Sequence, residues 1–156
     1  MKKFDSKSSI ILGMHDAIVS LTGLIAGLFF AFTDSNIIII SCIISSITAS
    51  ISMGAANYLA VRTTNKRHAL KSAIYTFVAY MMTCVLLILP FFVINDRTAT
   101  LIAIIFMAIF IIFAFNLFFY RGTRFWAQFF EMLSICTLVS VVAFFIGEIA
   151  NKIFGI

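Results

Sequence analysis

The chain has 156 residues, of which 63% are apolar, 11% are charged and one is proline, and its formal net charge is +5. A soluble domain is usually close to half apolar and a quarter charged, so this composition excludes a water-soluble globule, and its high apolar content also excludes a disordered chain. With a mean hydropathy of +1.14, the sequence predicts an integral membrane protein.

Crossing about 30 Å of hydrocarbon takes roughly 20 mostly apolar residues, and the chain has five such stretches separated by short polar breaks. They run approximately over residues 9–32, 37–61, 69–94, 99–120 and 125–149. Pro90 is expected to interrupt the hydrogen bonding of the third helix near Leu86 and to kink that helix. Because short breaks make consecutive helices antiparallel neighbours, we predict an all-α membrane protein in which residues 1–156 form a single domain of five transmembrane helices.

The positive charges are distributed unequally between the two ends of these helices. Nine basic residues precede the first helix, or lie between helices two and three or between helices four and five: Lys2, Lys3, Lys7, Arg62, Lys66, Arg67, Lys71, Arg121 and Arg124. The other side has only Arg97 and Lys152. Since basic residues concentrate on the cytoplasmic side, we predict a cytoplasmic N-terminus and a C-terminus outside. The basic excess thus indicates topology and gives no support to a nucleic-acid partner.

Three of the predicted helices bring chemically distinctive side chains to a similar depth. At a rise of 1.5 Å per residue, Asp16 lies roughly 10 Å below the cytoplasmic boundary, Met53 about 12 Å and Glu131 about 9 Å. Asn57 lies one turn from Met53 on the same face, toward the cytoplasm. An ionisable residue at hydrocarbon depth is costly and usually functional, and carboxylate, amide and thioether ligands together suit Fe(II) or a similar ion better than magnesium or calcium. We therefore predict a metal site formed by Asp16, Met53, Asn57 and Glu131.

Each of these side chains also has a structural interpretation. Met53 is compatible with ordinary packing in the core or against lipid, and Asp16 with a hydrogen bond to a neighbouring helix. Glu131 lies near the interface, where an ion pair with Arg121 or Arg124 is the alternative to metal binding. The sequence leaves both interpretations open.

Small residues recur every three or four positions in the first two helices. The rows are Gly13, Asp16, Ser20, Gly23 and Gly27 in the first helix, and Ser41, Ser45, Ala49, Met53 and Asn57 beside Cys42, Ser46, Ser50 and Gly54 in the second. Small residues let helix backbones approach closely in lipid, either within one subunit or between two. Helices three and four, rich in Phe, Ile and Leu, are expected to face lipid. A symmetric homodimer would double the ligands and place a path on its axis, so we predict a homodimer.

Nothing in the sequence favours an enzyme. It contains no evident pairing of a nucleophile with a base and no His-x-x-x-His motif. The cysteines Cys42, Cys84 and Cys136 lie in separate apolar runs, without the spacing of a disulfide framework or a metal site. We predict no catalytic activity and no resident cofactor.

Several segments resemble one known family. Residues 13–20 (GMHDAIVS), followed by Gly23 and Gly27, resemble the first-helix signature of the vacuolar iron transporter family, Gly-x-x-Asp-Gly-hydrophobic-Val-Ser/Thr. Residues 52–61 (SMGAANYLAV) are similar to its second-helix segment, Ser-Met-x-x-Gly-Glu-Tyr-hydrophobic-Ser-Val. Pro90 with its flanking aromatics resembles the end of the third-helix segment, and residues 129–147 resemble the last helix of the short bacterial members.

The resemblance implies a dimer of five-helix subunits in a bacterial inner (cell) membrane that moves Fe2+, and often Mn2+, out of the cytosol in exchange for H+. The transport-path aspartate of the family falls on Asp16 and its path methionine on Met53. The family glutamate falls on Asn57, Ala17 replaces a glycine and Leu87 a proline, and a short basic loop replaces an acidic extension after the second helix. The implied partners are membrane lipid, the metal ion and a second copy of the chain. The replacement at Asn57 supports an alternative, a non-transporting membrane scaffold or regulatory subunit with the same fold.

Overall fold

The computed structural model of the chain describes residues 6–120 and 123–154. Its elements are α1 (Ser6–Ala31), α2 (Ser35–Thr64), α3 (Ala69–Ile88), α4 (Pro90–Val93), α5 (Arg97–Phe119) and α6 (Thr123–Phe154). α3 and the short α4 together form one span, and within the described residues five spans are long and apolar enough to cross a membrane. The predicted all-α class and the predicted number of transmembrane helices are confirmed.

Aspartates in two of the polar breaks cap the helices that follow them. The side chain of Asp34 accepts a hydrogen bond of 2.8 Å from the N–H of Asn36, and that of Asp96 accepts one of 2.7 Å from the N–H of Ala99. Such N-caps satisfy N–H groups that have no partner inside the helix. α2 and α5 consequently begin at residues 35 and 97, slightly before the predicted apolar stretches.

The last helix is longer than predicted, extending to residue 154 instead of residue 149. An ion pair of 2.7 Å between Lys152 Nζ and Glu148 Oε1 joins two successive turns near its end. A basic side chain in the last turn also interacts favourably with the helix dipole. The helix outlasts the apolar segment because backbone hydrogen bonding does not stop where the hydropathy falls.

Pro90 interrupts the third span as predicted. The N–H of Leu89 still donates to the carbonyl of Val85 at 3.1 Å, but Pro90 has no N–H to donate to Leu86. Beyond it, the N–H of Phe92 donates to the carbonyl of Leu89 at 3.0 Å, a tighter turn than that of an α-helix. The span is therefore divided into α3 and α4 at this proline.

α3 is the most buried of the five spans, but one of its faces exposes large apolar side chains, among them Leu70, Ile74 and Met82. The prediction that this helix faces lipid therefore applies to one face only. In the most apolar stretch of the third span, 44% of the residues are buried, whereas the corresponding share in the last span is only 17%. α3 packs against both α1 and α2. Its buried face is a stripe of mostly polar or small side chains: Ser72, Thr76, Tyr80, Thr83, Cys84 and Leu87. This stripe contacts the neighbouring helices. It could not be recognised from the composition of the helix, in which large apolar residues predominate. α5 does expose large apolar side chains, as predicted, among them Phe106, Phe110 and Phe118.

The glycines of the first helix serve packing within the subunit. A Cβ atom on Gly23 would lie 2.7 Å from Val139 Cγ1, and one on Gly27 would lie 3.1 Å from the carbonyl oxygen of Ala143. On the other helix, a Cβ on Gly147 would collide with the carbonyl oxygen of Gly27. The Gly-x-x-x-Gly row thus seats α6 against α1, which is one of the two interpretations that the sequence left open.

Arg97 ties the beginning of α5 to the end of α1. Its guanidinium donates to the carbonyl oxygens of Thr33 at 2.6 Å, Phe32 at 2.7 Å and Phe29, and it lies 4.3 Å from the centroid of the Phe29 ring. The last carbonyl groups of a helix have no partners within it, so a basic side chain stabilises them. Arg97 therefore holds the end of α1 against the start of α5.

Candidate metal path

Asp16 lies in the middle of α1, exposed at the surface of the subunit. Within the described part of the chain its carboxylate forms no hydrogen bond and no ion pair, so a hydrogen bond to a neighbouring helix does not account for it. It interacts electrostatically with Tyr80 and Cys84 of α3. One turn further along α1, Ser20 Oγ lies 2.7 Å from Tyr80 Oη. The carboxyl group of Asp16 therefore has no hydrogen-bonding or ion-pair partner among the described residues, and it lies near the hydroxyl groups that join α1 to α3.

The sequence did not identify Tyr80 as a neighbour of this carboxylate. Its ring is almost entirely buried, and its hydroxyl group points to the α1 side of α3. The only available signal was the spacing of Ser72, Thr76 and Tyr80, which puts three hydroxyl groups on one helical face.

Met53 is half-buried on α2 and packs against the apolar core. It shares this intermediate exposure with Ser41, Ser45 and Ala49, the other members of its predicted row apart from Asn57. The adjacent row, which ends at Gly54, is buried. Met53 therefore contributes to packing while part of its side chain remains at the subunit surface, and its role as a metal ligand stays a prediction.

Asn57 is 8% exposed and belongs to a buried polar cluster that joins α1, α2 and α3. Its Nδ2 donates to Thr76 Oγ1 at 2.5 Å, to Ser72 Oγ at 2.9 Å and to the Ser72 carbonyl at 3.3 Å. Ser72 Oγ also lies 2.6 Å from Ser9 Oγ, and Thr76 Oγ1 donates to the carbonyl of Ser9 at 3.1 Å. The amide nitrogen thus has a structural role, and a metal would use the amide oxygen.

Replacing Asn57 with alanine is expected to lower the free energy of unfolding by about 1–2 kcal/mol, because Ser72 and Thr76 lose a buried donor. Unfolding in mixed detergent micelles measures this. Asn95→Ala is the matched control, since Asn95 is exposed in the connection before α5. Equal stability of the two variants would contradict a structural role for the Asn57 amide.

Glu131 is exposed on α6 and forms no ion pair with Arg124, although both residues are described. Arg121, its other predicted partner, lies outside the described residues. Glu131 interacts electrostatically with His15 of α1, whose ring packs edge-on against Phe115 at 5.0 Å and whose Nε2 is buried without a hydrogen-bond partner. Glu131 and Asp16 thus have different titratable neighbours, and the metal-binding role of Glu131 stays a prediction.

The described residues of one subunit do not form a conventional metal cluster. Among residues 6–120 and 123–154, no three His, Cys, Asp or Glu side chains are close enough to hold one ion. The three cysteines are buried and free of disulfide bonds, as expected. A metal bound at Asp16 would need neutral donors or ligands from a second subunit.

Comparison with known families gives a match over the first part of the chain. Residues 7–69 match the model of the VIT family. The matched segment spans nearly all of α1, the whole of α2 and the loop that leads to α3, and it contains Asp16, Met53 and Asn57. The family resemblance predicted from the motifs is confirmed over this segment. No curated protein matches the chain.

Proposed function

We propose that this protein is a dimeric membrane exporter of divalent transition metal. The proposal starts from the match of residues 7–69 to the VIT family. Fe2+ or Mn2+ would leave the cytosol in exchange for protons, with the N-terminus in the cytoplasm of a bacterial cell. The observation that carries the proposal is the carboxylate of Asp16, which has no hydrogen-bond or ion-pair partner among the described residues and is exposed on the surface of a helix long and apolar enough to span a membrane. A charge there costs a few kcal/mol or more unless it binds a cation, a proton or a polar partner.

A second subunit of a homodimer would shield the Asp16 side chain from lipid. A surface groove of about 450 Å³ runs along α1 and α6 from Ser20 to Ala31 on the first helix, and small residues such as Gly23, Gly27 and Ala143 line much of it. Asp16 lies one turn from Ser20. Two such surfaces related by a two-fold axis would bring two carboxylates out of contact with lipid and toward each other.

The chemistry of the side chains supports a transported rather than a permanently bound ion. Asp16 supplies negative charge and accepts a proton when the metal leaves. The Met53 thioether adds a soft ligand that disfavours magnesium and calcium. Asn57 offers a neutral oxygen and Glu131 a further carboxylate at similar depth. Weak and incomplete coordination favours release, which transport requires as much as capture.

Asn57 supports a second candidate function, that of a membrane scaffold or regulatory subunit. The amide replaces the glutamate of the family pattern, and its nitrogen joins three helices through buried hydrogen bonds. A residue that stabilises the bundle at this position cannot contribute charge to a cation. Under this interpretation the protein has the fold of the family but does not transport metal.

Flux measurements in proteoliposomes separate the two functions. Mn2+ uptake is followed with a metal-sensitive dye, and internal pH with a second dye. An exporter should give saturable Mn2+ flux that Fe2+ competes with and Mg2+ does not, accompanied by opposite proton movement. Flux no faster than in protein-free vesicles would support the scaffold, and cells overexpressing the protein would then gain no tolerance to manganese or iron.

A further inference from the structure

A crevice of about 440 Å³ separates α5 from α1 and α6. It lies in the half of the bundle that contains the end of α1 and the start of α5. Representative lining residues are Thr22, Phe30, Leu101, Ala108, Leu133 and Phe144. The lining is apolar apart from a few hydroxyl groups and one thiol, so the crevice offers too few polar partners to hold ordered water.

The length of the crevice corresponds to one leaflet of a bilayer. Its lining extends from Leu101 to Ile112 on α5 and from Leu133 to Phe144 on α6. Eleven residues of helix rise about 17 Å, and half of a hydrocarbon core of about 30 Å is about 15 Å. Under the topology predicted from the charges, this is the outer leaflet.

A cationic group stands at the end of the crevice nearest the membrane surface. Arg97 is one helical turn outward from Leu101 on the same face of α5, and Phe29, on which its guanidinium rests, precedes the lining residue Phe30. A guanidinium has five N–H donors. Within the described residues, three hydrogen bonds to carbonyl oxygens of α1 and the following loop account for three of them. Two donors and the positive charge are left for an anionic group at the surface.

We propose that this crevice is a phospholipid-binding site, in which one acyl chain lies between α1, α5 and α6 and the phosphate group contacts Arg97. An empty crevice would forfeit the dispersion contacts of its lining, whereas an acyl chain restores them and fixes α5 against the rest of the bundle. The phosphate completes the donor set of the guanidinium through charge-assisted hydrogen bonds. The site requires only that the protein lies in a membrane, so it does not depend on metal transport.

Native mass spectrometry of the purified protein tests the site, with phosphatidylglycerol as the added lipid. Ala108→Phe fills the crevice and should abolish the retained lipid and the rise in melting temperature that the lipid produces. Ala114→Phe makes the same change at an exposed position of α5 and should preserve both. If Ala108→Phe does not fold, Ala26→Leu fills the crevice from α1 and should weaken retention.

Arg97→Gln tests the headgroup contact separately. Loss of a charge-assisted hydrogen bond should weaken lipid binding about tenfold, while Lys152→Gln, a charge removal on α6 at the same predicted side of the membrane, should not. Retention of lipid by Ala108→Phe equal to that of Ala114→Phe would overturn the site. Binding of neutral detergent in place of the phospholipid, unaffected by Arg97→Gln, would overturn it as well.

Discussion

Replacing Asp16 with asparagine is expected to reduce Mn2+ flux in proteoliposomes at least about tenfold. The amide keeps the size and an oxygen ligand but removes the negative charge that offsets a divalent cation at membrane depth, and a lost interaction with a charge is worth about 1.5–3 kcal/mol. Since each 1.4 kcal/mol corresponds to about a factor of ten, the loss should be evident in initial rates measured with an encapsulated dye.

Two further substitutions make this result specific. Asp34→Asn changes an exposed aspartate that caps α2, and asparagine caps equally well, so its flux should equal that of the parental protein. Met53→Leu conserves volume and removes only sulfur, so it should lower Fe2+ flux relative to Mn2+ flux without unfolding the protein. If Asp16→Asn vesicles transported Mn2+ at the parental rate, Asp16 would not lie on the path and the proposed mechanism would be wrong.

Gly13→Ala is expected to destabilise the bundle, although alanine favours a helix. A Cβ atom at Gly13 would overlap the carbonyl oxygen of Thr76 and lie 3.1 Å from its carbonyl carbon. Both are backbone atoms of α3, so relief requires a shift of the whole helix. Overpacking costs about 1–3 kcal/mol, and an overlap with backbone atoms is expected near the upper end, above the roughly 1 kcal/mol that alanine gains over glycine. The melting temperature in detergent should therefore fall.

Gly54→Ala is the matched control, because Gly54 on α2 makes a looser contact with an adjacent face of α3. Its added Cβ would be 3.3 Å from Phe77 Cβ and 3.4 Å from the Ala73 carbonyl oxygen. These contacts are relieved by a shift of a few tenths of an ångström, so Gly54→Ala should change the melting temperature less than Gly13→Ala. An equal or reversed order would show that α1 and α3 do not meet as closely as described.

The lipid solvent made much of the fold predictable from the chain alone. A backbone inside hydrocarbon must satisfy its hydrogen bonds locally, so five long apolar stretches become five helices. The starts of two helices also depend only on residues nearby in the sequence, since Asp34 and Asp96 cap the helices that follow them. Pro90 interrupts the third span because it has no N–H, whatever its surroundings.

The candidate site was only partly predictable for a related reason. Membrane depth follows from the position along a helix, so Asp16 and Glu131 were recognised as ionisable groups within the spans. Which groups surround them depends on which helices become neighbours. Tyr80 beside Asp16 and His15 near Glu131 both come from contacts between separate spans.

The membrane class, the number of helices and the family motifs could be predicted from the sequence, because they depend on hydropathy and on residues close together along the chain. Three further features emerged from the packing of the helices: α3 is the most buried span, the glycines of α1 contact α6, and the Asn57 amide joins three helices. The periodicity of a helix shows which residues share a face but not which neighbour that face meets. That choice is made by the packing of all the helices together.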